Sequence, residues 1–148
     1  IKKNKKVKID KSVNILLYEE KKFGIEKYET YKKFGQNIYN IKETVIKNLK
    51  NLNKQKNKII GYGAPAKATT ALNFFGISKE IDFIIEDNKL KHNKFVPGVK
   101  IPIRSKIKGN NKKNTVLVLA WNFFDEIKKN NSDLSDDFIN IKDLENTF

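Results

Sequence analysis

The residues best suited to chemistry lie in the run Ile59-Ile60-Gly61-Tyr62-Gly63-Ala64-Pro65-Ala66-Lys67. The two isoleucines read as the end of a buried strand, and residues 65–75 read as a helix. Gly61, Gly63 and Ala66 fall on the G-x-G-x-x-G/A spacing. Such a turn gathers free backbone N–H groups and the positive end of a helix dipole at one spot, which suits a phosphate. The first glycine permits the turn, the second lets a phosphate approach, and the small third residue allows close helix–strand packing. Lys67 opposes the dipole of its own helix, and a bound phosphate would reverse that sign. Pro65 suits the first helical position, where its missing N–H is not needed. Tyr62 reads either as a strand-end core residue or as a ring facing a ligand.

Two more clusters should meet this loop. Glu86-Asp87-Asn88 follows a second apolar run, and Ala120-Trp121-Asn122-Phe123 follows a third. Asp87 stands where dinucleotide-binding folds place the carboxylate that holds a ribose, and it equally suits an Asp-Asn turn. Trp121 is the sole tryptophan. It can stack on a base or sugar, or pack as a partly buried ring. Asn122 reads as a helix cap before it reads as a ligand. His92 is an exposed loop residue or an acid–base group, and Arg104 is a surface residue or a phosphate clamp.

The elements that must position these groups follow from periodicity. Asp10 or Ser12 caps a helix through Val13, Leu16 and Leu17 to Phe23, and Gly24 ends it. A longer helix starts between Ile25 and Glu29. Its apolar positions Tyr31, Phe34, Ile38, Ile41, Val45, Leu49 and Leu52 recur at steps of three and four. Residues 51–58 read as a polar turn. Strands are expected at 58–62, 81–86, 99–103, 115–120 and 138–141, the third at a sheet edge because it contains Pro102. Helices are expected at 65–75, stopped by Gly76, and from Asn122 through Phe123, Ile127 and Lys128. Residues 106–114 read as a polar linker. Alternating strands and helices imply an α/β fold, a Rossmann-like three-layer domain with a mostly parallel sheet, preceded by a helical lead-in. The lead-in is expected over 1–56, packing on the core, and the sheet domain over 57–148. Ligands in such folds sit outside the carboxyl ends of the strands, at the switch point.

Composition narrows the classes. The chain has 148 residues and no cysteine, which excludes disulfides and thiolate metal sites, and its single histidine excludes a histidine-rich metal centre. The net charge is +14, yet Arg104 is the only arginine among 31 basic residues. Arginine dominates base readout and bidentate phosphate clamps, so its scarcity argues against a dedicated nucleic-acid reader. The run Lys2 to Lys8 reads as a solvated strand or arm. No run is apolar enough to span a bilayer and no signal-peptide core is present, so a cytoplasmic protein with no membrane partner is expected. A chain that lacks methionine and begins at Ile1 is expected to be a piece of a longer protein.

The longer pattern is more specific than the glycine spacing. Residues Ile60-Gly61-Tyr62-Gly63-Ala64-Pro65-Ala66-Lys67 and Leu72-Asn73-Phe74-Phe75-Gly76-Ile77 resemble the C-terminal domain of the sugar C-methyltransferases. These enzymes methylate a carbon of nucleotide-linked deoxysugars. The resemblance continues through Ile81-Asp82-Phe83, Asp87-Asn88, Pro97-Gly98, Ile101-Pro102-Ile103 and Leu119-Ala120-Trp121-Asn122-Phe123. Lys11-Ser12-Val13 and the aromatic stretch from Tyr28 to Phe34 look like that domain's helical lead-in.

The resemblance implies a Rossmann-like domain placed after a zinc-binding domain and a middle domain that binds S-adenosylmethionine. Gly61, Tyr62, Gly63, Ala64, Pro65, Ala66, Lys67, Asp87, Asn88, Trp121, Asn122 and Phe123 would then bind substrate. The partners implied are a TDP-linked or similar nucleotide-sugar and the middle domain. The methyl donor and the catalytic base would lie in that middle domain. Neither a catalytic residue, a metal nor a cofactor is expected here, and the isolated chain is not expected to turn over. Two readings from the residues alone stay open beside it: an NAD(P)-binding Rossmann domain of an oxidoreductase, and a non-enzymatic nucleotide-binding module.

Overall fold

Asp10 sets the start of the first helix. In the computed structural model, which describes residues 9–54, 58–106 and 113–145, its carboxylate accepts the Ser12 N–H at 2.8 Å. That bond satisfies one of the donors a helix start leaves free. Helix α1 (Lys11–Phe23) ends at Gly24, whose φ of 82° lets its N–H reach the carbonyls of Glu20 and Lys21. Thr30 Oγ1 then donates to the Gly24 carbonyl at 2.8 Å, holding the turn into α2 (Tyr28–Lys54). The expected helix thus runs further than Leu52, into the stretch read as a turn.

The chain divides into two compact units, residues 1–40 and 41–148, with α2 crossing the division. No residue of α1 is buried; Val13, Leu16, Leu17 and Phe23 are all exposed. In the larger unit, Val45, Leu49 and Leu52 of α2 enter the core. The Lys2 to Lys8 run and most of the 106–114 linker lie outside the described residues.

The larger unit is built on five parallel strands in the order β3-β2-β1-β4-β5. They are β1 (Ile59–Tyr62), β2 (Ile84–Ile85), β3 (Ile103–Arg104), β4 (Thr115–Val118) and β5 (Asp137–Asn140). Every residue of β1 and β4 is buried, as expected for central parallel strands covered on both faces. Side chains alternate between the faces. Ile59, Ile84 and Leu117 pack with Val45, Leu49 and Leu72 on one face, while Ile60, Tyr62, Ile85, Val116 and Val118 pack with Leu134 on the other. Helix α3 (Ala66–Phe75) covers the first face through Ala68 and Leu72. Helix α4 (Phe124–Asn130) covers the second through Phe124 and Ile127. These are the three layers that the strand–helix alternation implied.

Three local expectations are corrected. The second strand is regular only over Ile84–Ile85, although the Asp82 N–H still bonds the Ile59 carbonyl at 3.0 Å. Pro65 does not occupy the first helical turn. It is the cap residue of α3, extended at φ −72° and ψ 162°. Asn122 does not cap α4. The chain after β4 first makes a 3-10 turn over Trp121–Phe123, closed by the Phe123 N–H on the Ala120 carbonyl at 2.9 Å. That turn moves the cap position to Phe123, whose side chain has no acceptor. Pro102 does stand beside the sheet edge, just before β3.

Gly61 shows how tightly the sheet centre is packed. A Cβ there would lie 2.7 Å from Ile84 Cγ1 and 3.2 Å from Leu119 Cδ1. Gly35, inside α2, has nothing within 4 Å of the same point. Gly61→Ala is therefore expected to destabilise the chain by about 1–3 kcal/mol through overpacking. Gly35→Ala is expected to stabilise α2 by about 0.5–1 kcal/mol through helix propensity. Urea unfolding of the two variants beside the parent measures both signs, and a neutral Gly61→Ala would refute the close approach.

Candidate functional site

The strand order makes the site. From β1 the chain turns to α3 on one face, and from β4 it turns to α4 on the other. A crevice must open between their carboxyl ends. It is a cleft of about 520 Å³. Tyr62, Gly63 and Pro65 line it from the end of β1, Glu86, Asp87 and Lys91 from the end of β2, and Ala120, Phe123, Glu126, Ile127, Asn130 and Asn131 from the end of β4 and from α4.

Gly63 closes the floor. Its φ is 84°, its N–H donates to the Ile85 carbonyl at 2.8 Å, and a Cβ would sit 2.7 Å from that of Ala120. Only glycine combines that backbone conformation with that approach. Two of the loop amides expected to face a phosphate, those of Gly63 and Ala64, are instead engaged within the protein. The Ala64 N–H donates to Glu86 Oε2 at 2.9 Å. The Asn88 N–H donates to Glu86 Oε1 at 3.0 Å, and Lys91 Nζ lies 3.2 Å from Oε2. Burial by itself would raise the Glu86 carboxyl. The Asn88 and Ala64 N–H groups and the Lys91 ammonium more than offset that and hold it below its ordinary value.

Tyr62 is 4% exposed, and its hydroxyl donates to the Asp87 carboxylate, 3.0 and 3.1 Å from its two oxygens. Asn131 Oδ1 lies 3.4 Å from the same hydroxyl, and its amide is fixed by donation to the Ile127 carbonyl at 2.9 Å. Burial, and then the Asp87 carboxylate, push the phenol up to about 12. Tyr62 is thus both core residue and cleft wall.

Of the twelve residues expected to bind substrate, Tyr62, Gly63, Pro65, Asp87 and Phe123 meet at this cleft. Gly61 is enclosed within the sheet. Ala64 and Ala66 border a neighbouring depression with Thr69, Lys91 and Lys94. Lys67 and Trp121 find each other: Lys67 Nζ lies 4.1 Å from the indole centroid. A cation over an indole face is worth about 0.5–1 kcal/mol at an exposed site, which offsets the dipole penalty noted for Lys67. Asn88 caps a 3-10 turn (Lys89–Lys91), its side chain accepting the Leu90 N–H at 3.0 Å. Asn122 is exposed in its own turn.

His92 is half-buried, and its Nε2 donates to the Glu86 carbonyl at 2.6 Å. Arg104 lies over the Phe83 ring at 4.8 Å. Lys91, Asn130 and Asn131 carried no sequence signal, being one lysine and two asparagines among many. Glu126 could be foreseen only as a helix-start acid. Among the described residues no cluster of three or more metal-ligating side chains occurs, and no helix is long and apolar enough to cross a membrane.

Tyr62→Phe removes the donor to Asp87 and is expected to lower stability at pH 8 by about 1–2 kcal/mol. The sign with pH follows from the raised phenol. The folded state keeps the proton that the unfolded state loses near pH 10, so the parent's advantage is full below pH 10 and fades as pH rises towards about 12. Urea midpoints of parent and variant should converge over that window, and a constant gap would contradict the assignment.

A family model described as the C-methyltransferase C-terminal domain matches residues 1–139. C-methyltransferase NovU of Streptomyces niveus is 30% identical over 117 residues, covering 78% of this chain and 28% of NovU. The chain therefore spans less than a third of that relative's length. The family match runs from before α1 into β5 and so takes in every strand and loop that builds the cleft, and the chain belongs to the family of C-methyltransferase C-terminal domains.

Proposed function

We propose that this chain is the substrate-holding domain of a methyltransferase that acts on a carbon of a nucleotide-linked deoxysugar. S-adenosylmethionine, held by a middle domain outside this chain, would supply the methyl group. The observation that carries the reading is the Tyr62–Asp87 pair at the mouth of the cleft. It presents a carboxylate of fixed orientation, which suits the recognition of hydroxyl groups. Two neighbouring ionisable groups are likewise engaged. Glu86 is held by two backbone amides and Lys91, and His92 by a backbone carbonyl. Such a site suits binding and orienting. Holding the sugar in an attack geometry is itself a large share of catalysis, and binding energy at the nucleotide can serve the positioning of the distant sugar. Phe123, 59% exposed at the cleft edge, offers a ring face for stacking.

Asp87 at the end of β2 also favours a second reading, since a dinucleotide ribose would be held there. Thermal unfolding with dTDP-linked deoxysugar, UDP-sugar and NAD distinguishes the two. A ligand raises the melting temperature only as far as it binds the folded state. The nucleotide-sugars are expected to raise it and NAD is not; the reverse pattern would replace the proposal with the dinucleotide reading. Phe123→Ala is expected to weaken nucleotide-sugar binding about tenfold, the loss of one stacking contact. Calorimetric titration reads that change.

A further inference from the structure

The glycine loop has the outline of a phosphate nest, yet it already holds an anion. Glu86 Oε2 receives the Ala64 N–H at 2.9 Å, Oε1 receives the Asn88 N–H at 3.0 Å, and Lys91 Nζ closes the group at 3.2 Å from Oε2 and 3.0 Å from the Ala64 carbonyl. The Glu86 side chain is only 12% exposed. Gly63 offers no vacant donor either, because its N–H serves the Ile85 carbonyl. A phosphate brought to this loop would have to displace a satisfied carboxylate or lie against it, and like charges in a partly buried site repel. The cleft beyond has the opposite preference. Asp87 and Glu126 line it with acceptors that can take hydroxyl protons, and Phe123 and Ile127 supply an apolar face.

We infer that Glu86 closes the glycine loop to phosphate, and that the adjoining cleft takes an uncharged, hydroxyl-bearing ring of the substrate in place of its diphosphate. This deepens the nucleotide-sugar reading and rests on it for the identity of the ring, which is either the furanose of the nucleoside or the hexose.

The test uses the whole chain with a ¹⁵N label, following the Ala64 amide resonance while inorganic pyrophosphate is added. The parent is expected to show no saturating shift at concentrations that saturate Glu86→Ala. In that variant the Ala64 and Asn88 amides and the Lys91 ammonium are released, and pyrophosphate affinity is expected to rise roughly tenfold or more. Glu86→Gln keeps an acceptor for the Ala64 N–H while losing the charge, so it serves if the alanine variant fails to fold; its affinity should rise as well. Pyrophosphate that shifts Ala64 in the parent as strongly as in both variants would overturn the inference.

Thymidine and free deoxyhexose, added separately to the parent, identify the ring. Cleft resonances that move with either one and are not reversed by pyrophosphate support the assignment, while reversal overturns it. Failure of dTDP-linked deoxysugar to bind the parent would remove the proposed function. The pyrophosphate comparison would still decide whether Glu86 closes the loop.

Discussion

Much of this domain follows from one steric constraint: β1 is paired on both sides and covered on both faces. Gly61 lets the side chains of Ile84 and Leu119 close over it, and Gly63 lets Ala120 come against the turn. The carboxyl ends of three neighbouring strands are thereby drawn together. Side chains from one strand end can then reach the backbone or side chain of the next. Tyr62 of β1 meets Asp87 beyond β2, and Glu86 beyond β2 meets the Ala64 amide beyond β1. A larger residue at either glycine would spread the strands and undo both links.

That dependence explains which parts of the molecule could be read from sequence. Apolar runs bounded by Gly and Pro marked the strands. Asp10, Gly24 and Gly76 marked helix ends through mechanisms that operate within a few residues. Cleft-lining residues near strand ends, such as Tyr62, Gly63, Asp87 and Phe123, were legible because the fold class fixes where strand ends point. The misplaced features depended on tertiary detail. Asn122 had the right chemistry for a cap, and a tight turn after β4 shifted the cap by one position, to Phe123. Lys91 reaches the cleft only because its turn folds back over Glu86. Gly61 was read as the glycine that permits the turn, and a Cβ there would meet Ile84 and Leu119 of the packed sheet. Nothing in the linear pattern distinguishes those roles, since both require the absence of a Cβ.

Global charge and local charge also part company. The chain carries a net charge of +14, but its cleft is lined by Glu86, Asp87 and Glu126 against Lys91. Overall charge bears on solubility and non-specific attraction. Recognition is decided by the few groups that line the site, and family membership alone would not have revealed their sign.

The contact between Lys67 and Trp121 has a practical consequence. The chain contains one tryptophan, so its indole emission comes from a single, known place. An ammonium group stands 4.1 Å above that indole, close enough to perturb its excited state. Any rearrangement of the start of α3, or of the turn leaving β4, that lifts the lysine away would change the colour or yield of the light. The protein thus has an unlabelled optical gauge at the corner where its helices and strands meet.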